Sequence, residues 1–293
     1  MSKSKEVIIS PMEKVRVTKM GHIIEVQHIE KQNRKANIRK LDSDSYVDLK
    51  TGEIKEFQKS INRSQNVNSL RQTFKKLRYL INNNFSGNGN ELFITLTYGK
   101  KKKAYDPKEL YPDFDKFMKR LRYEYKGQTT IDYINVVEPH EKGDFHCHVL
   151  LRFNDLDKVF MENSKLADLW GLGFVKIRSL KGVDNIGAYL SAYLADIEIT
   201  DDKTIKEDIP IEIKIVDGQE KKFIKGGRLH LYPSGTNIHR KSKGIVEPER
   251  EEMPFKDIKK VVGSTKPHYT QSLTIQDGDY NNKIQYLQYN TKR

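Results

Sequence analysis

The chain has 293 residues, with 53 Lys or Arg against 40 Asp or Glu. The resulting formal net charge of +13 points to a polyanionic partner, nucleic acid foremost. The single cysteine, Cys147, excludes a disulfide framework and a thiolate zinc cluster. No apolar run approaches the roughly 18 residues of a membrane span, and the N-terminal stretch MSKSKEVIISPMEK lacks a signal-peptide core, so a cytoplasmic protein without membrane contact is expected.

Residues 1–63 are polar and turn-rich and form an expected N-terminal accessory region. Val15, Val17, Ile23, Ile24 and Val26 suggest two short strands around Met20-Gly21, and 48–54 a hairpin turning at 50–52. From 66 to 85 the apolar positions Leu70, Phe74, Leu77, Leu80 and Ile81 recur at helical spacing, with Lys75, Lys76 and Arg78 on the outer face. ELFITLTY at 91–98 reads as a strand. Asp106-Pro107 opens a helix that runs to about 125, with Leu110, Phe114, Phe117 and Leu121 inward. Strands follow at 132–138 and 144–153, then a helix over 155–170, a strand at 173–177 and a helix over 183–195. The order β-α-β-β-α-β-α, with a tight turn between adjacent strands, predicts an α+β fold: an antiparallel sheet with helices packed on one face. This core is expected over 64–200. Residues 201–293 form a C-terminal basic region, loop-like and acidic over 201–220, with a helix at 253–262 and a strand at 268–276.

The chemistry concentrates in Glu138-Pro-His-Glu-Lys-Gly-Asp-Phe-His-Cys-His148. His146 and His148 are two apart on a strand, so their side chains share one face while Cys147 points to the other. Two imidazoles with the Glu138 carboxylate from the neighbouring strand can chelate a divalent metal and leave positions open for water and a phosphate oxygen. An isolated His-x-His is more often a pair of satisfied histidines, and zinc or non-haem iron centres use the same ligand set. Tyr189 and Tyr193 lie four apart on one face of the last helix, the spacing of many core tyrosines. Beside a metal-bound phosphate, however, a phenol is a suitable transesterification nucleophile.

A strand ending Thr-Leu-Thr-Tyr, then Glu-x-His-x-x-Gly-x-x-His-x-His, then a tyrosine helix resembles the three ordered motifs of the HUH endonuclease superfamily. Within it, the sequence over roughly 90–196 looks most like rolling-circle replication initiators of plasmids, mobile elements and circular single-stranded DNA viruses. The resemblance implies a ferredoxin- or RRM-like core and Mg²⁺ or Mn²⁺ held by Glu138, His146 and His148. It also implies nicking and religation of single-stranded origin DNA through a 5′-phosphotyrosine on Tyr189 or Tyr193, and a DNA site lined by Thr95, Thr97 or Tyr98. Many relatives carry Lys three residues after the nucleophile; here those places hold Ala192 and Asp196. Relaxases tend to place the tyrosine before the histidines, the reverse of this order, and transposases of this type are usually shorter. A DNA-binding regulator that has lost activity is the alternative from another class.

In 225–243, cations alternate with aromatics, so Arg228, Arg240 and Lys241 are candidates to neutralise phosphates, and His230 and Tyr232 to stack on bases. An ordinary solvated hairpin fits that block as well. The lysines at 100–103 are either DNA contacts or a solvated loop. Gly182 and Gly187 have P-loop glycine spacing but continue Ala188-Tyr189, so unwinding is expected to come from a separate host helicase.

Overall fold

The computed structural model describes residues 2–32, 36–57, 67–140, 143–181, 183, 185–187, 190, 197–198, 211–216, 219–224, 231–233, 235–277 and 280–292. The chain divides into two compact units, Met1–Ser60 with Glu249–Arg293, and Ile61–Pro248.

The first unit is built on a six-stranded antiparallel sheet in the order Ser2–Ser4, Pro267–Asp277, Tyr280–Asn290, Ile23–Ile29, Lys14–Met20, Glu249–Pro254. The two strands expected around Met20-Gly21 are its centre. Val15, Val17, Ile24 and Val26 share a core with Leu287 and Tyr289 and are closed over by Ile258 and Val262. The hairpin expected at 48–54 joins Ser45–Asp48 to Ile54–Glu56 in a small separate sheet. A single C-terminal region over 201–293 is not what forms: the chain changes unit after Pro248. The strand Tyr280–Asn290 inserts beside Ile23–Ile29, and Gln27 donates to the Tyr286 hydroxyl at 3.0 Å. Partners so distant in sequence leave no local signature. The helix expected at 253–262 is a strand to Pro254, a 3₁₀ turn Phe255–Ile258 and one α-turn Lys259–Val262. Its opening amides are engaged elsewhere, Phe255 N–H on the Glu13 carbonyl and Lys256 N–H on that of Pro11.

The second unit carries the α+β core. Helix α1 (Val67–Asn84) buries Leu77, Leu80 and Ile81 and leaves Lys76 exposed. Strand β1 (Glu91–Tyr98) is followed by α2 (Pro107–Glu124), whose N-cap Asp106 accepts the Lys108 amide at 2.8 Å. Strands β2 (Ile131–Pro139) and β3 (Phe145–Phe153) form the hairpin, then come α3 (Asn163–Trp170), β4 (Gly173–Ser179) and β5 (His239–Lys241). All pairs are antiparallel, in the order β4-β1-β3-β2-β5. One face of this sheet, with Leu96, Tyr98, Tyr133 and Phe153, packs on α2 and α3. Phe114 meets Tyr133 edge-on at 5.0 Å between ring centroids, and Phe117 meets Trp170 at 6.1 Å. The helix expected over 155–170 shortens to α3 because the preceding stretch bonds outward: Asp155 accepts the Thr130 amide, and Val159 N–H reaches the Gly89 carbonyl. Within 201–220, expected to be loop, Ile211–Val216 pairs with Gln219–Ile224, which also pairs Ile197–Glu198. Of the expected helix over 183–195, Ile186, Gly187 and Leu190 are helical, and Tyr189 and Tyr193 lie outside the described residues. No helix among the described residues is long and apolar enough to cross a membrane.

A chain ending at Asp277 would leave Ile23–Ile29 without its neighbour. Hydrogen exchange should then show loss of amide protection over 23–29, with protection over 91–98 and 145–153 retained. Equal loss in both units would contradict the division of the chain.

Candidate metal centre

The β2–β3 hairpin places Glu138 directly opposite His146, and Val136 opposite His148. Period-two alternation then puts Glu138, His146 and His148 on the sheet face that does not meet α2, while Cys147 is fully buried on the other. The turn is closed by Gly143 at φ +85°, donating its amide to the His140 carbonyl, and by Lys103 pairing with Asp144 at 3.0 Å. One ligand atom from each of Glu138, His146 and His148 lies within 4.8 Å of the others.

His148 Nε2 is 2.5 Å from Glu138 Oε2 and 3.1 Å from His146 Nε2, and the latter is 3.5 Å from the same carboxylate oxygen. Adjacent ligands of an octahedral ion with ~2.1 Å bonds stand about 3 Å apart. Two of the three separations match that geometry, and the third is a hydrogen bond that a cation would replace. On its other side, His148 Nδ1 meets the Thr95 hydroxyl at 3.1 Å. A hydroxyl both donates and accepts, so Thr95 can receive Nδ1–H whenever Nε2 holds a metal, fixing tautomer and ring orientation. Phe93 stacks on His148 with ring centroids 5.5 Å apart, and His140 on His146 at 4.0 Å. Burial, reinforced by Arg178, brings the His148 imidazole down to about 4, and burial also holds His146 well below the usual histidine range. Both rings are therefore neutral near pH 7, the form a metal requires. The donor set, one carboxylate and two neutral imidazoles, fits a divalent cation.

The other expected site residues separate into groups. Thr95 and Thr97 face the metal side, and the Thr97 carbonyl accepts the Trp170 indole N–H. Tyr98 is on the core face, only 2% exposed, with its hydroxyl donated to Asp113 at 2.6 Å, so it is unavailable to DNA. Tyr232, expected to stack on a base, is fully buried and donates to the Val137 carbonyl at 3.0 Å. The ring is amphipathic, and a hydrogen bond offsets the cost of burying its polar tip in this core. Arg240 lies opposite Asn135 in the register, on the α2 side of the sheet, over the Tyr111 ring at 4.8 Å and paired with Asp115. Lys241 donates to the Ile245 carbonyl at 2.8 Å and pairs with Glu247. Arg228 and His230 lie outside the described residues. Of the lysines at 100–103, Lys102 pairs with Asp113 and Lys103 with Asp144, while Lys100 and Lys101 are exposed.

Sequence reasoning passed over the contribution of β4. Its register with β1 sets Lys176 opposite Thr95 and Arg178 opposite Phe93, so two cations stand on the metal face in the same rows as His148 and its stacking partner. The alternation of FVKIR at 174–178 was a signal for this, but only the pairing with β1 shows which face it serves. It also passed over the grip on the last helix. Asn82 of α1 accepts the Gly187 amide at 2.8 Å and donates to Asn185, and a Cβ on Gly187 would stand 2.5 Å from the Arg78 carbonyl oxygen. Leu190, three residues on, lines a cavity with His148 and Thr95.

An antiparallel α+β sheet with a two-histidine, one-glutamate cluster on its open face defines a domain equipped for metal-assisted chemistry on a bound substrate. Residues 91–198 match the family model described as Replication-associated protein ORF2, which makes this part of the chain a replication-associated domain of the rolling-circle initiator type. No curated protein and no solved structure matches the chain.

Titrating Mn²⁺ into the protein should show one tight site, lost in His146→Ala and Glu138→Ala. Saturation at a hundred times Kd should stabilise the fold by about 2.7 kcal/mol. The affinity should hold from pH 7.5 to about 6, because protons compete with the metal only near the depressed imidazole values; a steep fall through pH 6.5 would contradict the assigned environment. Gly187→Ala should keep Mn²⁺ binding but lower the melting temperature, by about 1–3 kcal/mol of stability.

Proposed function

We propose that this chain is a rolling-circle replication initiator: a site-specific, metal-dependent endonuclease and strand transferase acting on single-stranded origin DNA. The observation that carries the reading is the Glu138, His146 and His148 cluster on the open face of a domain matching the replication-associated family. Further support comes from Leu190, which lines the cavity beside His148 and is the neighbour in sequence of Tyr189.

In this reading Glu138, His146 and His148 hold Mg²⁺ or Mn²⁺, which when bound supplies positive charge to the non-bridging oxygens of the scissile phosphate. Thr95 orients His148, and the neutral state of both imidazoles keeps their ring nitrogens available as ligands. Tyr189 or Tyr193 is the nucleophile. Its phenolic oxygen bonds to phosphorus, the bond from phosphorus to the 3′ oxygen breaks, and the phenol proton ends on the departing 3′ oxygen. The phosphotyrosine keeps the energy of the broken diester, so the reverse attack by a 3′ hydroxyl religates the strand without a nucleotide cofactor. Two tyrosines one helical turn apart suit a cycle in which one cuts while the other holds the first DNA end. Strand separation falls to a separate host helicase, and the work is cytoplasmic.

Covalent capture tests this. The protein is incubated with Mn²⁺ and single-stranded or duplex DNA from the origin of its own replicon, then run on a denaturing gel. Wild type should give a slower protein–DNA band. That band should be absent in His146→Ala and in the Tyr189→Phe/Tyr193→Phe double variant, and the single variants should name the nucleophile. Binding without any adduct would replace the nuclease with a DNA-binding regulator on the same scaffold.

A further inference from the structure

The metal face carries more than the metal cluster. Immediately beside His148 lies a cavity of about 110 Å³ whose floor is apolar, formed by Phe93, Leu150 and Leu190, and whose rim holds Lys176 and Arg178. Each feature has a structural origin. Phe93 and Leu150 are directly opposite in the β1–β3 register, Lys176 and Arg178 come from the edge strand β4, and Leu190 descends from the segment that Asn82 holds through Gly187. Lys176 is exposed and makes no ion pair among the described residues. Phe174, two residues before it on the same face of β4, is 70% exposed.

An apolar slot of this size has room for several waters or one planar ring system, and not for a base pair. Its aromatic wall is the Phe93 ring that already stacks on His148. Cations at the rim of an apolar slot match a ligand that is flat and apolar at one end and anionic at the other, which describes one unpaired nucleotide. A double helix keeps its bases stacked away from such a slot, whereas a single strand can insert one.

We infer that this pocket receives one unpaired base of the DNA strand, that Lys176 and Arg178 hold the adjoining phosphates, and that Phe174 offers a stacking face to a neighbouring base. The pocket is thus a specificity-determining subsite: it selects the base seated beside the metal cluster. Strand β4, rather than the basic block at 225–243, carries the contacts nearest the reaction. The inference takes its substrate from the replication-initiator reading and adds which residues choose the nucleotide.

Equilibrium binding of the full chain to short single-stranded oligonucleotides of pure T, pure C and pure A, by fluorescence anisotropy in EDTA over a salt series, separates the parts. Wild type should distinguish the best from the worst strand by about fivefold or more, the lower end of what one stacked base contributes. Lys176→Gln, at an exposed position, should weaken all strands alike and reduce the slope of log affinity against log salt by about 0.7, the loss of one phosphate contact. Leu150→Phe fills the slot and should erase the base preference while leaving the salt slope unchanged; its melting curve reports whether it has folded. The inference is overturned if wild type shows no base preference, if Lys176→Gln leaves affinity and slope unaltered, or if a folded Leu150→Phe keeps the wild-type preference. If these failures accompany a normal covalent adduct, only the pocket is lost; if wild type binds no strand at all, the initiator reading goes with it.

Discussion

The register of the β2–β3 hairpin is the constraint on which the site depends. Glu138 faces His146 across one pair, and His148 follows two residues on. Because side chains alternate strictly along a strand, a slip of one residue would send both imidazoles into the core and bring Cys147 to the surface. That slip is opposed from both sides of the sheet. Cys147, Val149, Leu151 and Phe153 are buried with the helices on one side, and burying two imidazoles in their place would cost desolvation with no partners to offset it. The core therefore sets the register, and the register assembles the metal ligands.

The same sheet divides its labour between faces. The α2 side absorbs the large aromatic residues and uses polar tips for internal bonds, as Tyr98 does with Asp113 and Tyr232 with the Val137 carbonyl. The opposite side keeps a carboxylate, two neutral imidazoles and two cations around a small apolar hollow. Burial has opposite consequences on the two sides. It removes tyrosines from any role with DNA on one, and on the other it holds histidines in the uncharged form that binds a cation.

Position on the metal face is also controlled from outside the sheet. Asn82 in α1 reaches across to Asn185 and Gly187, and the absence of a side chain at Gly187 allows the helix backbone to approach the Arg78 carbonyl. Leu190 then lies over the cavity next to His148. The polar face of an amphipathic helix thus serves as a clamp, which explains an asparagine pair in a position where solvent-facing charges were expected.

The amino-acid sequence by itself determined the elements whose signal is local: β1, α2 and the β2–β3 hairpin, the shared face of His146 and His148, and the inward direction of Cys147. All follow from period-two or period-3.6 patterning and from turn chemistry within a few residues. Tertiary structure alone decided the rest. Whether an aromatic in a basic stretch meets DNA or core depends on what lies above it, and Tyr232 is covered while Phe174 is not. Whether a cation is available depends on its partners, so that Lys241 and Arg240 are engaged within the chain while Lys176 stands beside Thr95 on the metal face. The joining of Tyr280–Asn290 to Ile23–Ile29 had no local trace either, because backbone pairing between distant strands is written in neither strand alone. Periodicity fixes which way a side chain points, and only the packed chain fixes what it meets there.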